Sequence, residues 1–182
     1  MSNSFYSFPS ALITPLRKEI DLKGTITSME IDSSGLTTAL RSLGLQADDS
    51  FIPYDDLVDV SWWRKQKDSN VDWIIGSMCS TYEPCLEYIF AYGTQAANKG
   101  LILLERLSFL EPTRKRRQFL QDTKLSNLIV LNPRPQFRPG SSKDSVTSAW
   151  FVFRRPDMWA DETRISYALD WDTEDTKKLP RL

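Results

Sequence analysis

The sequence predicts a single three-layer α/β domain on a mixed, mostly parallel sheet of about six or seven strands. Three observations point there. Short apolar runs at 71–75, 101–104 and 125–131 have the length and composition of strands covered on both faces. Longer stretches with helical spacing separate them. The runs at 125–131 and 146–153 are joined by a segment rich in Pro, Gly and Ser. It has no room for a packed crossover helix, so this last pair is antiparallel.

The elements follow in order. Thr14 before Pro15 fits a cap followed by Pro at the first helical position, opening a helix to about Asp21. A strand is expected at 25–31, then a turn at Asp32, Ser33, Ser34 and Gly35. Leu36, Ala39, Leu40 and Leu43 have helical spacing up to Gly44, a good stop. Residues 45–56 hold a weak strand around 51–54. Asp55 and Asp56 would cap a short helix with Leu57, Val58, Trp62 and Trp63, and 65–70 reads as a polar turn. A helix over 82–97 carries Leu86, Ile89, Phe90 and Gly93 on one side. Pro112 starts another helix, with Phe119 and Leu120 inward and Arg114 to Arg117 largely outward. From Arg154 on, the chain reads as polar and irregular. The division is therefore a domain at 1–156 and a polar tail at 157–182.

Composition removes several function classes. The 182 residues are 41% hydrophobic, enough for one real core. Formal net charge is −1, so nucleic-acid contact must rest on a local patch. No apolar run approaches the ~20 residues of a membrane helix. The N-terminus has no basic segment followed by an apolar one. Together with two cysteines and no disulfide framework, this makes a reduced cytoplasmic setting the expectation. Histidine is absent, which removes Ser-His-Asp and Cys-His catalysis and nearly every familiar zinc site.

The run GLILLERLSFLEPTRKRRQFL (100–120), followed by LIVLNPRPQFRPGSSKDSVTSAWFVFRRP (128–156), resembles the C-terminal half of phage- and prophage-type DNA adenine methyltransferases. These belong to the class I S-adenosylmethionine-dependent methyltransferases. The matching pieces are the RLSFLE strand end, the basic helix, the RP-x-F strand end and the DS-x-T-x-AWFV strand. The resemblance covers about 70–156. It implies a Rossmann-related sheet, S-adenosylmethionine as cofactor, and a DNA amino group as methyl acceptor.

At the landmarks where that chemistry sits, the sequence departs from the pattern. The resemblance implies a Glu/Asp-Pro-x-x-Gly-x-Gly turn after strand one, whose glycines admit the cofactor. Here Glu30, Asp32 and Gly35 are the candidate cofactor contacts, Ile31 replaces the proline, and Gly35 alone remains of the glycines. An acid ending strand two should hold the ribose. Asp48, Asp49, Asp55 and Asp56 are nearby, but none follows a clear strand. An Asn/Asp/Ser-Pro-Pro-aromatic motif should accept the target amine and stack on the flipped base. The matching residues are Ser77, Met78, Cys79 and Ser80. Ser77 keeps an acceptor, while the prolines and the ring are gone. Tyr82 is the substitute stacking candidate. Loss of base stacking alone is worth roughly 1–3 kcal/mol, or roughly 5- to 150-fold in binding.

Each feature also has a plain structural reading. Residues 76–80 are either a surviving methyl-transfer site or an inactive strand-end loop, and the second is favoured. Residues 32–35 are a weakened cofactor loop or a simple capped turn. Arg114, Lys115, Arg116 and Arg117, with Arg134, Arg138 and Lys143, face phosphates or are a solvated helix face plus loop. Glu105, Arg106 and Glu111 flank a strand end as catalytic carboxylates would, and a structural ion pair is favoured; Cys79 and Cys85 are reactive thiols or, as favoured, buried small apolar residues. Trp159 and Trp171, in a polar segment, dock on a partner or on the domain itself.

The functional expectation is a catalytically degenerate methyltransferase-like pseudoenzyme. It would bind no metal and no cofactor, and serve as a binding module in a protein complex, with nucleic acid as a further partner and no membrane. The alternatives are an active adenine-N6 or cytosine-N4 methyltransferase that retains S-adenosylmethionine, and an interaction or inhibitor protein using the tail and the Trp62–Trp63 region.

Overall fold

The structure, a computed structural model, describes residues 8–29, 35–48, 58–77, 83–111, 113–137, 146–169 and 171, with side chains left out at 83–85 and 115. Seven strands form one sheet: β1 (Thr25–Met29), β2 (Gln46–Ala47), β3 (Trp73–Ser77), β4 (Gly100–Arg106), β5 (Leu125–Leu131), β6 (Ser148–Arg154) and β7 (Arg164–Ala168). Their order is β2-β1-β3-β4-β6-β5-β7. β6 runs antiparallel to both β4 and β5. All other pairings are parallel. The expected mixed sheet and the antiparallel pair at 125–131 and 146–153 are therefore both present.

Alternation along the central strands divides the core. Trp73, Ile75, Ile102, Leu104, Trp150 and Val152 face one side. There they meet α1 (Ile13–Glu19) through Ile13 and Leu16, and α2 (Leu36–Ser42) through Leu36 and Leu40. Ile74, Leu101, Leu103, Phe151 and Phe153 face the other side. That side is covered by α3 (Val60–Asp68), α4 (Glu83–Ala96) and α5 (Arg114–Asp122), through Trp63, Ile89 and Phe119. With both faces buried, the strands have no polar face to show, which is why they read as unbroken apolar runs.

Several boundaries differ from expectation for local reasons. A 3-10 turn at Ser10–Leu12 precedes α1, which starts at Ile13 with no side-chain cap, so Thr14 and Pro15 lie inside the helix. The cap of α3 is Asp59, whose Oδ1 accepts from Ser61 N–H at 2.8 Å. The Ser61 hydroxyl at 2.5 Å, then this N–H bond, hold the Asp59 carboxyl below its usual pKa against an opposing effect of desolvation, with a smaller contribution from Arg64. α3 continues through the residues read as a polar turn, because Gln66 is buried and bonded to Thr27 while Lys65 and Lys67 face water. α5 opens at Arg114 with Thr113 as its cap. The strand expected around 51–54 and the caps at Asp55 and Asp56 lie outside the described residues. The second strand is instead Gln46–Ala47, separated from Gly44 by one residue.

The largest difference is at the C-terminal end. Residues read as an irregular tail supply β7, which pairs in parallel with β5 from Asn127↔Arg164 to Leu131↔Ala168. Trp171 is buried and its Nε1–H donates to Pro133 O at 2.9 Å. Trp159 Nε1–H donates to Arg154 O at 3.0 Å, and the Lys124 ammonium lies over its ring. Both tryptophans dock on the domain itself. Among the described residues, no helix is long and apolar enough to cross a membrane.

Candidate functional site

Six strands run the same way, so their carboxyl ends share one rim of the sheet. β1 ends at Met29, β2 at Ala47, β3 at Ser77, β4 at Arg106 and β5 at Leu131. In a doubly wound sheet this rim is where ligands bind. Of the sequence-predicted candidates, Gly35 and Arg134 fall on segments leaving it, and Ser77 ends β3 at it.

Gly35 follows β1 and is the N-cap of α2 at φ 89°, ψ 12°, in the left-handed region. A Cβ built there meets nothing within 4 Å among the described residues, and the positive φ is one that glycine adopts without strain. Below it, Ser28 on β1 and Thr37 on α2 share a hydroxyl–hydroxyl hydrogen bond, which ties the helix start to the strand.

Asp48 directly follows β2, and its N–H donates to Ile26 O at 2.8 Å, continuing the parallel ladder. Its side chain is exposed. This is the position of an acid ending strand two, the ribose-holding position that the resemblance implies. Sequence reading named Asp48 among four nearby acids but could not choose it, because a two-residue strand shows no periodicity; the preceding Gly44 turn was the available signal. Beside it opens a cleft of about 390 Å³, lined in part by Thr27, Asp48, Trp62, Lys65 and Gln66.

Ser77 is the last residue of β3, paired with Leu104 of β4. Its side chain is 7% exposed and already has an interaction partner. The serine is thus part of the sheet rather than of a projecting loop. Glu30, Asp32, Tyr82, Cys79, Arg138 and Lys143 lie outside the described residues. Asp72, which leads into β3, sits at the opposite end of the sheet. Its carboxylate accepts from Thr25 N–H at 3.0 Å and pairs with Lys99 at 3.6 Å, a structural clamp. Glu105 is wholly buried at the end of β4 and has an interaction partner.

The basic residues separate into two roles. Arg114 and Arg117 on α5, Arg106 at the end of β4, and Arg134 beyond β5 are exposed. Arg116 is turned inward: its guanidinium donates to Ser108 O at 3.0 Å and lies over the Phe109 ring. It fastens α5 to the segment after β4. Lys115 belongs to α5, and only its backbone is described. Trp63 is buried and Trp62 meets its edge at 4.6 Å, so this pair faces the domain interior more than solvent.

No family model matches the chain, and no curated protein matches it in sequence. Solved structures do. One is a class I S-adenosylmethionine-dependent methyltransferase from Listeria monocytogenes, described as putative (TM-score 0.57, 13% identity, 96% of this chain and 69% of that one). Another is a modification subunit of a type I restriction enzyme from Vibrio vulnificus YJ016, also described as putative (TM-score 0.53, 10% identity, 92% of this chain). The chain spans about half (48%) of that subunit. The fold is therefore that of the class I S-adenosylmethionine-dependent methyltransferases.

Proposed function

We propose that this chain is a methyltransferase-fold binding module that has lost methyl transfer and acts in a reduced, cytoplasmic setting within a larger assembly. One observation carries the reading: at the strand end where the target amine would be held, Ser77 is buried in the sheet with its own partner. The next residues, Met78, Cys79 and Ser80, offer neither the stiffening prolines nor the stacking ring that holding a flipped base requires. The likeness to a modification subunit twice its length supports action as part of an assembly. Calorimetry with S-adenosylmethionine tests it: binding is expected to be weaker than micromolar, and micromolar binding counts against the reading.

The second reading, an active DNA amino-methyltransferase, is favoured by Gly35 and Asp48. Gly35 caps α2, the first helix after β1, and Asp48 follows β2, on the connections with which such a fold holds the methionine part and the ribose of S-adenosylmethionine. Bound there, the cofactor would supply an electrophilic methyl group. Ser77 would hold the acceptor amine, with Tyr82 stacking on its base.

For nucleic acid, exposed Arg106, Arg114, Arg117 and Arg134 support a phosphate-facing rim. Binding to duplex DNA is expected to weaken as salt rises, and Arg114→Gln with Arg117→Gln to lower the log–log slope by about two. Arg116→Gln should instead loosen α5. Absence of binding at low salt, or an unchanged slope in the double variant, defeats the nucleic-acid role.

A further inference from the structure

The cleft of about 390 Å³ beside β2 joins one stripe of α3 to one row of the sheet. Trp62, Lys65 and Gln66 stand at i, i+3 and i+4 of the helix, so their side chains share a face. On the sheet, Thr25 pairs with Gln46 and Ile26 with Ala47. The bond from Asp48 N–H to Ile26 O, at 2.8 Å, carries that ladder one residue further. Asp48 is therefore the cross-strand neighbour of Thr27, about 4.8 Å away and on the same face. The Thr27 hydroxyl in turn donates to Gln66 Oε1 at 2.9 Å. The register thus sets the Asp48 carboxylate beside the Gln66 amide. Gln66 is 6% exposed, and its Nε2 has no hydrogen-bond partner among the described residues. A buried donor left unmet is costly, and the cleft that Gln66 lines is where a ligand atom can meet it. Trp62 is half-buried, its ring braced perpendicular to that of Trp63. Lys65 is exposed and has no ion-pair partner among the described residues. The edge itself is closed to an added strand. Ala47 turns its backbone outward, but its N–H donates to Leu45 O at 3.0 Å and its C=O accepts from Arg41 Nε at 2.9 Å. The cleft is therefore one for a small molecule, and its volume lies in the usual range of such sites.

We propose that this cleft holds a guanine nucleotide. An aromatic wall suits a base, whose face stacks on Trp62. The polar pair selects which base. Guanine sets one acceptor, O6, beside two donors, N1–H and the N2 amine, on a single edge. Gln66 Nε2 donates to O6, and the two oxygens of Asp48 accept from N1–H and N2–H. The other bases offer one donor group on that edge, so the carboxylate holds them by one bond instead of two. Asp48 has a further interaction, which a carboxylate can keep while accepting these. The Lys65 ammonium supplies the charge for the phosphate. The site does not depend on whether methyl transfer survives. It gives Asp48 a base edge to hold where the active-enzyme reading gives it a ribose, so competition between nucleotide and cofactor tells the two apart.

Titration calorimetry of the full chain with GMP tests the assignment. The expected result is one site per chain, saturated below millimolar concentration. IMP, which lacks the N2 amine, should bind at least about tenfold more weakly, and AMP more weakly still. Asp48→Asn should lower the affinity for GMP about tenfold or more and bring GMP and IMP close together, a change that a merely structural role would not produce. Lys65→Gln should weaken GMP and leave guanosine unchanged, whereas Lys67→Gln, outside the cleft, should alter neither. All three side chains are exposed, so the variants should fold, and equal melting temperatures check that. Several results would overturn the proposal: no binding of GMP at millimolar concentration, IMP or AMP bound as tightly as GMP, or Asp48→Asn binding as the unaltered chain does. Displacement of GMP by micromolar S-adenosylmethionine would also overturn it, by returning Asp48 to a ribose. So would tighter binding of a single strand with one unpaired guanine, which would make a nucleic acid the occupant.

Discussion

Gly100→Ala should lower the melting temperature by about 10 °C or more, or leave the protein insoluble. Gly100 opens β4 at φ 148°, a region that side chains avoid. A Cβ there would lie 2.2 Å from Phe153 O and 2.9 Å from Arg154 Cα. Both neighbours are backbone of β6, held in register by the β4–β6 ladder, so neither can yield as a flexible side chain would. Backbone strain and forced separation together cost about 3–5 kcal/mol, against a total stability of about 5–15 kcal/mol. Calorimetric melting checks this, and a shift under about 2 °C would mean that the β4–β6 contact is looser than described.

Removing residues 157–182 should also destroy the fold, although the sequence reads as if this segment were dispensable. The deletion takes away β7 and leaves the backbone of β5 unpaired along its outer side. It also takes away Trp171, buried in the same core cluster as Phe137 and Leu131 and bonded to Pro133 O. Loss of one such tryptophan costs about 3–5 kcal/mol. The expected outcome is an aggregating or molten chain, with Trp171→Ala reproducing much of the loss and Trp171→Phe recovering part of it. A truncated chain that melts cooperatively at the full-length temperature would show that the sheet ends at β5 in solution.

β3 to β6 were legible because burial on both faces leaves only apolar residues to write them with. β7 was not, because it is largely open: Arg164 is exposed and Ile165–Ala168 alternates exposed with half-buried positions, so no buried apolar run marks it. The extension of α3 was hidden for a related reason, since Lys65 and Lys67 lie on its solvent face and Asp59, not the earlier aspartates, is its cap. At the site, the resemblance pointed to Ser77 and Gly35 because each is a single motif residue left in an otherwise altered stretch. It could not reveal that the serine is buried, which depends on β3 running on to pair Ser77 with Leu104. Asp48 could not be singled out from Asp49, Asp55 and Asp56 because its strand, Gln46–Ala47, is too short to leave a pattern. Arg116 looked like one cation among four. Only the fold shows that the Ser108 carbonyl, eight residues earlier, holds it inward.

The central claim is that the rim at Ser77 no longer supports methyl transfer. Incubation of the full chain with duplex DNA and S-adenosylmethionine labelled in its methyl group tests this most directly. The account predicts no label in DNA above a protein-free control, for the chain alone and for Ser77→Ala alike. Label that enters adenine or cytosine with the unaltered chain and disappears with Ser77→Ala would contradict it and establish the active methyltransferase instead.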